Sequence, residues 1–144
     1  MAVTVLEFKG YAVKEQCYQK NETFKQSTQG ITLNPQIDLD IENDIQEDGI
    51  LVTLGVKIGS LTDDPFKVIV RICGRFVYHL EKDTHKMGVD ALIRKNAVAI
   101  LYPYLRAIVS NLTSTSNEYP AYLLPTIDVA QVLKEQPGSS AVAD

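Results

Sequence analysis

The sequence predicts an α+β fold: a four-stranded antiparallel sheet packed with a long helix and a short C-terminal helix. Three observations predict it. Apolar residues recur with period 2 through the first half of the chain, the mark of strands with one wet face. Turn residues separate these runs at hairpin spacing. After Gly88 the apolar spacing changes to three and four residues, the stripe of an amphipathic helix.

The first strand, roughly Val5 to Gln19, is irregular but rich in Tyr, Val and Phe. The second, residues 36–42, alternates cleanly: Ile37, Leu39 and Ile41 point one way, and Asp38, Asp40 and Glu42 the other. Asp48-Gly49 supplies a turn, and Val52, Leu54, Val56 and Ile58 resume the alternation up to Gly59. Thr62-Asp63-Asp64-Pro65 suits a hairpin connection to a longer strand from Phe66 to about Leu80. That strand is apolar on both faces. The helical stripe runs from Leu92 to Leu112, with Asp90 as N-cap and an irregularity near Tyr102 caused by Pro103. Residues 114–117 end it. Pro120 and Pro125 bracket an extended segment, and Thr126 or Asp128 caps the final helix. Residues 1–136 form one domain, and 137–144 are a small polar tail expected to be disordered.

Composition narrows the function. At 144 residues, with 45% hydrophobic and 22% charged residues, the chain is an ordinary globular domain. A net charge of −4 without a Lys/Arg cluster argues against a nucleic-acid partner. Eight of the 18 acids lie between Asp38 and Asp64, where Lys57 is the only base. Two cysteines, Cys17 and Cys73, without CxxC spacing read as reduced, inert thiols. The first residues carry no secretory pattern and no apolar run reaches bilayer length, so the expected location is the cytoplasm, without membrane insertion.

Catalysis is not written in the pattern. His79 and His85 lack the spacing and companions of a metal pair, and no metal or cofactor is expected. Asp38, Asp40 and Glu42 share one strand face without an organising base, which suits a solvated face. The expectation is therefore a binding protein and not an enzyme. The wide helical stripe and the two-sided apolar strand exceed what one sheet can cover, so burial between subunits is expected.

Three stretches carry a resemblance. Ile100-Leu101-Tyr102-Pro103-Tyr104-Leu105-Arg106, the run Tyr119–Asp128 (YPAYLLPTID) and the run Pro35–Ile41 (PQIDLDI) resemble, in this order, signatures of the bacterial SecB protein-export chaperones. The resemblance covers about residues 5–133. It implies a homotetramer, a dimer of dimers with long helices between sheets, that holds non-native polypeptides in hydrophobic surface grooves without ATP. The groove would be floored by Ile37, Leu39 and Ile41 and walled by Leu124, Ile127, Val129, Val132 and Leu133. Ile31 and Leu33 of the crossover loop would add a wall, Leu33 standing where the family carries a tryptophan. The subunit interface would draw on Val68, Val70 and Ile72 of the fourth strand and on Ile100, Leu101, Tyr104, Leu105 and Ile108 of the helix. Ile37, Leu39 and Ile41 serve as readily as ordinary core, and pattern alone does not separate the two roles.

The partners implied are unfolded preproteins and the export motor SecA. At the positions where the family's acidic patch docks the motor's basic tail stand Asn21, Lys25, Lys67 and Ile69, none of them acidic. Attraction to a basic tail is weakened or reversed there. That departure favours an alternative, a SecB-like chaperone dedicated to one client such as the antitoxin of a toxin–antitoxin system. A small ligand-binding or enzymatic α+β domain is the reading from another class.

Overall fold

The computed structural model describes residues 6–25, 32–44, 49–78 and 96–125. Four strands, β1 (Leu6–Lys20), β2 (Gln36–Asp44), β3 (Gly49–Gly59) and β4 (Phe66–Tyr78), are followed by a helix, α1 (Val98–Thr115). The strands form one antiparallel sheet in the order β1-β4-β3-β2. The α+β expectation holds, with strand ends within a few residues of those read from the sequence. Asp90, the final helix and the C-terminal tail lie outside the described residues.

The register explains the core. Reading across the sheet, Ile37 opposes Val56, Val56 opposes Val70, and Val70 opposes Gln16. The next row runs Leu39, Leu54, Ile72, Val13, and the next Ile41, Val52, Gly74, Tyr11. Alternation therefore puts every apolar residue of β2 on the same face as Val52, Leu54, Val56, Ile58, Val68, Val70 and Ile72. Helix α1 covers that face with Val98, Leu101, Leu105 and Val109, all buried. Gly74 lets it come close: a Cβ there would lie 2.6 Å from Leu101 Cδ2.

Pro103 is accommodated inside α1, which runs uninterrupted from Val98 to Thr115. The expected irregularity sits earlier, as a wider π-type turn at Asn96–Ala97. Ala97 already has helical dihedrals, so no capped break precedes Val98. At the other end Ser116 Oγ donates to the Thr113 carbonyl (2.6 Å), and Asn117 takes a left-handed φ of 58°. Asparagine tolerates that conformation, and the helix stops where the polar residues predicted it would.

The chain then returns across the helix-side face as an extended strap, residues 119–125. Its fixing points are specific. Tyr119 packs on Phe66 with ring centroids 5.6 Å apart. The Tyr122 N–H donates to Thr113 Oγ1 (2.8 Å), which itself donates to the Val109 carbonyl (3.0 Å). Tyr102 Oη donates to the Pro125 carbonyl (2.5 Å), and Leu124 is fully buried. A fully buried leucine contributes about 1.5–3 kcal/mol relative to an exposed one.

Candidate functional site

The inner face of the sheet is sealed in the middle and open at its two edges. Val52, Leu54, Val56, Val68, Val70 and Ile72 are 0–1% exposed. Their edge neighbours Ile37, Leu39 and Ile41 are only half-buried, although they pack against the same core. The cause is topological: among the described residues β2 has a strand on one side only, and α1 packs on β4, β3 and β1.

Beside this aliphatic row stands a wall joined by one hydrogen bond. Tyr122 Oη donates to the Leu33 carbonyl (3.1 Å), tying the strap to the segment that leads into β2. Burial pushes the Tyr122 phenol above its ordinary pKa, and burial does the same to Tyr102 against a smaller opposing pull from Arg106. Both phenols therefore stay protonated and able to donate at neutral pH. Leu123, next to Tyr122, is 59% exposed. A cavity of about 320 Å3 opens where β2 begins, lined by Leu33, Asn34, Gln36, Lys57, Ser60 and Asp64 among others.

Of the residues expected in a groove, Leu33, Ile37, Leu39 and Ile41 come together here at partial exposure. Leu124 does not offer a wall: it is fully buried, and the exposed position belongs to Leu123. In an extended strap successive side chains point opposite ways, so only one of the two leucines faces the core. Ile31, Ile127, Val129, Val132 and Leu133 lie outside the described residues.

The expected subunit-interface set divides in the same manner. Val68, Val70, Ile72, Leu101 and Leu105 are 0% exposed within the single chain and have no surface to offer another. Ile100 and Ile108 are half-buried and Tyr104 is exposed. Tyr104 lies 4.7 Å from the Tyr11 ring and 6.0 Å from Phe8, centroid to centroid. With Tyr11 and Val13 exposed as well, the β1 edge carries an aromatic patch that the sequence reading did not name. Gly10, at φ 110°, sits in the register shift between Phe8 and Tyr11 that turns Tyr11 onto the helix side.

The outer face of the sheet is mixed. Lys67, Ile69, Arg71 and Cys73 are half-buried there, while Asp38 and Asp40 are exposed. Asn21 is no part of a docking patch: it is 5% exposed, and its side-chain amide donates to the Asp64 carbonyl (2.8 Å). Cys17 opposes Ile69, whereas Cys73 opposes Ala12. The thiols are thus about four residues apart along the ladder, roughly 13 Å at about 3.3 Å per residue, too far for a disulfide. Both are free and half-buried. His79 and His85 lie outside the described residues, among which no group of three or more His, Cys, Asp or Glu could hold a metal ion. No described helix is long and apolar enough to cross a membrane.

Comparison with known proteins gives this geometry a context. The family profile described as preprotein translocase subunit SecB matches residues 7–139. An uncharacterized protein of Methanocaldococcus jannaschii is 34% identical over 133 residues, covering 89% of this chain and 82% of that one. Among solved structures, a Mycobacterium tuberculosis SecB-like chaperone in complex with an antitoxin peptide superposes with a TM-score of 0.66. It is 20% identical and the match covers 85% of this chain and 91% of that one, a likeness of fold.

Proposed function

The chain belongs to the SecB family, and on that premise we propose that it is an ATP-independent chaperone, a holdase that keeps non-native polypeptides unfolded for export. The observation that carries this reading is the half-buried row Ile37, Leu39, Ile41 together with Leu33 and Tyr122. It is apolar and partly exposed, and among the described residues no reactive group is built into it. At about 25 cal/mol per Å2 of apolar area, many such contacts hold an extended chain without reading its sequence. A folded protein has already buried its apolar groups and gains little, so selectivity for the unfolded state needs no motif.

The proposal includes assembly as a homotetramer acting in the cytoplasm. The aromatic patch of Tyr11, Val13 and Tyr104, continued along α1 by Ile100 and Ile108, supports an interface on the β1 side. The free thiols of Cys17 and Cys73 fit a reducing compartment.

A second reading is favoured by two observations. The neighbour from Mycobacterium tuberculosis is bound to a peptide from an antitoxin. On the outer sheet face here, Lys67 and Ile69 stand where an acidic dock for SecA would be expected. A chaperone dedicated to one such client accounts for both. Titration of the purified protein, without nucleotide, against a denatured, reduced protein and its folded form tests the proposal. Binding to denatured proteins at large supports the general holdase. That same result contradicts the dedicated one, and no binding to any of several unrelated denatured proteins contradicts the general holdase.

A further inference from the structure

The outer face of the sheet, turned away from α1 and the strap, carries a cluster of bases. The register puts Lys67, Ile69 and Arg71 of β4 there, with Lys57 of β3 opposite Ile69. Lys57 is therefore diagonal to both Lys67 and Arg71, about 7–8 Å from each in sheet geometry. It is exposed, and the other three are half-buried. Two other lysines find acids: Lys9 pairs with Glu7 (2.8 Å) and Lys20 with Glu118 (3.0 Å). Among the described residues Lys57, Lys67 and Arg71 form no ion pair and no side-chain hydrogen bond. Like charges so close repel one another, and the chain keeps them although its acids outnumber its bases by 18 to 14.

The acids of this face gather toward its far end. Around Lys67 and Lys57 the register sets Gln19, Cys17, Ile69 and Gln36. The acid beside them, Asp64 near Gly59, is engaged by Ser60 Oγ, which donates to its carboxylate (3.0 Å). At Arg71 the first rim acids appear. Glu15 opposes it on β1, and Asp38 reaches over Gly55 from β2, its Oδ1 2.6 Å from where a Cβ would stand. The exposed Asp40 follows one row further on. The face is thus basic and partly apolar at one end and acidic at the other, and that division decides what fits. A nucleic-acid duplex or an anionic membrane is negative throughout and would meet Asp38 and Asp40 along with the bases. A short segment covers the basic end alone.

We propose that this end of the outer face docks a short acidic segment of another polypeptide, with carboxylates on Lys57, Lys67 and Arg71 and an apolar side chain on Ile69. Exposed ion pairs are individually weak, so the site needs all three bases and discriminates by charge more than it binds tightly. The surface is on the opposite side of the sheet from Ile37, Leu39 and Ile41. The inference therefore goes beyond the holdase reading and does not depend on it. A partner held here leaves the groove free.

The test uses labelled ten-residue peptides in fluorescence anisotropy with the full chain: one of Glu, Ser and a single Leu, and counterparts with Gln or Lys in place of Glu. At low salt the Glu peptide should bind at least about tenfold tighter than the Gln peptide. The gap should close near 1 M salt, where the screening length falls to about 3 Å. The Lys peptide should bind no better than the Gln peptide. Lys57→Glu and Lys67→Glu together should cost the Glu peptide at least about tenfold, whereas Arg106→Glu, at an exposed position of α1, should stay within about twofold. Equal binding of the Glu and Gln peptides, or equal losses at Arg106 and at the two lysines, would overturn the proposal. Displacement of the Glu peptide by excess denatured protein would place it in the groove and overturn the proposal too. So would equally tight binding of a DNA duplex or of phosphatidylglycerol vesicles, lost in the same lysine variant, since the patch would then take any polyanion. Failure of every denatured protein to bind would remove the holdase reading and leave the acidic dock standing.

Discussion

The two edges of this sheet differ in backbone regularity and in side chains, and they end up with different surfaces. β1 is interrupted by register shifts, and its helix-side residues Tyr11 and Val13 join Tyr104 in an exposed aromatic patch. β2 is regular, aliphatic on the helix side and acidic on the other. Between them the central strands are sealed under α1. Among the described residues one helix packs on this twisted four-stranded sheet, and the apolar residues that it leaves partly exposed lie at the two margins. The difference shows that margin chemistry is set by backbone regularity as much as by composition. A bulge turns the Tyr11 ring onto the helix side at one margin, and an unbroken ladder keeps the aliphatic row of β2 on a single face at the other. In the proposed function the β1 margin serves assembly and the β2 margin serves clients.

The most disruptive change should be Leu124→Ala, which empties a fully buried site under the strap on the helix-side face. Chemical denaturation should show a loss of about 2–5 kcal/mol. A smaller loss would mean that the strap contributes little to the fold. Next, Leu39→Asp puts a charge on the β2 margin at a half-buried position. Affinity for a denatured client should fall at least about tenfold, the order of one buried apolar side chain replaced by an unpaired charge, while light scattering reports an unchanged assembly. Client binding that persisted in such a variant would remove the groove from β2.

Tyr104→Ala sharpens the comparison from the other side. It removes the ring contacts to Phe8 and Tyr11, worth about 0.5–1.5 kcal/mol beyond area. It should weaken assembly in sedimentation experiments and leave the affinity of each subunit for a short peptide nearly unaltered. The smallest effect concerns pH. The Tyr102 and Tyr122 phenols have pKa values raised by burial, so the folded state holds these protons more tightly than the unfolded chain does. The stability they contribute is fully present below the ordinary tyrosine value near 10 and is lost as pH rises through the higher folded values. Thermal melts should therefore decline above about pH 10, and the double variant Tyr102→Phe, Tyr122→Phe should flatten that part of the decline.

Much of the fold was legible because period 2 and the switch to helical spacing are direct consequences of side-chain direction. β2 is the clearest case, since Ile37, Leu39 and Ile41 alternate with acids. β1 was the least legible, because Gly10 inserts a register shift that alternation cannot express. Within the site, legibility failed where two residues have the same chemistry. Leu123 and Leu124 are indistinguishable by type, and only the direction of the strap decides which is buried. Val68, Val70 and Ile72 are expected at a subunit interface because their strand is apolar on both faces. A pattern marks a face, but whether α1 covers it depends on packing. The aromatic patch required Tyr11 and Tyr104, 93 residues apart in sequence, to be brought together by the fold. The functional reading came from the family resemblance, since no chemical motif marks a holdase.

Hydrogen exchange on the intact protein, with and without a denatured client, tests the division between the two edges most directly. The account predicts new protection at the amides of β2, residues 36–44, with β1 unaltered. Protection at β1 instead, or none at β2 with the client demonstrably bound, would contradict it.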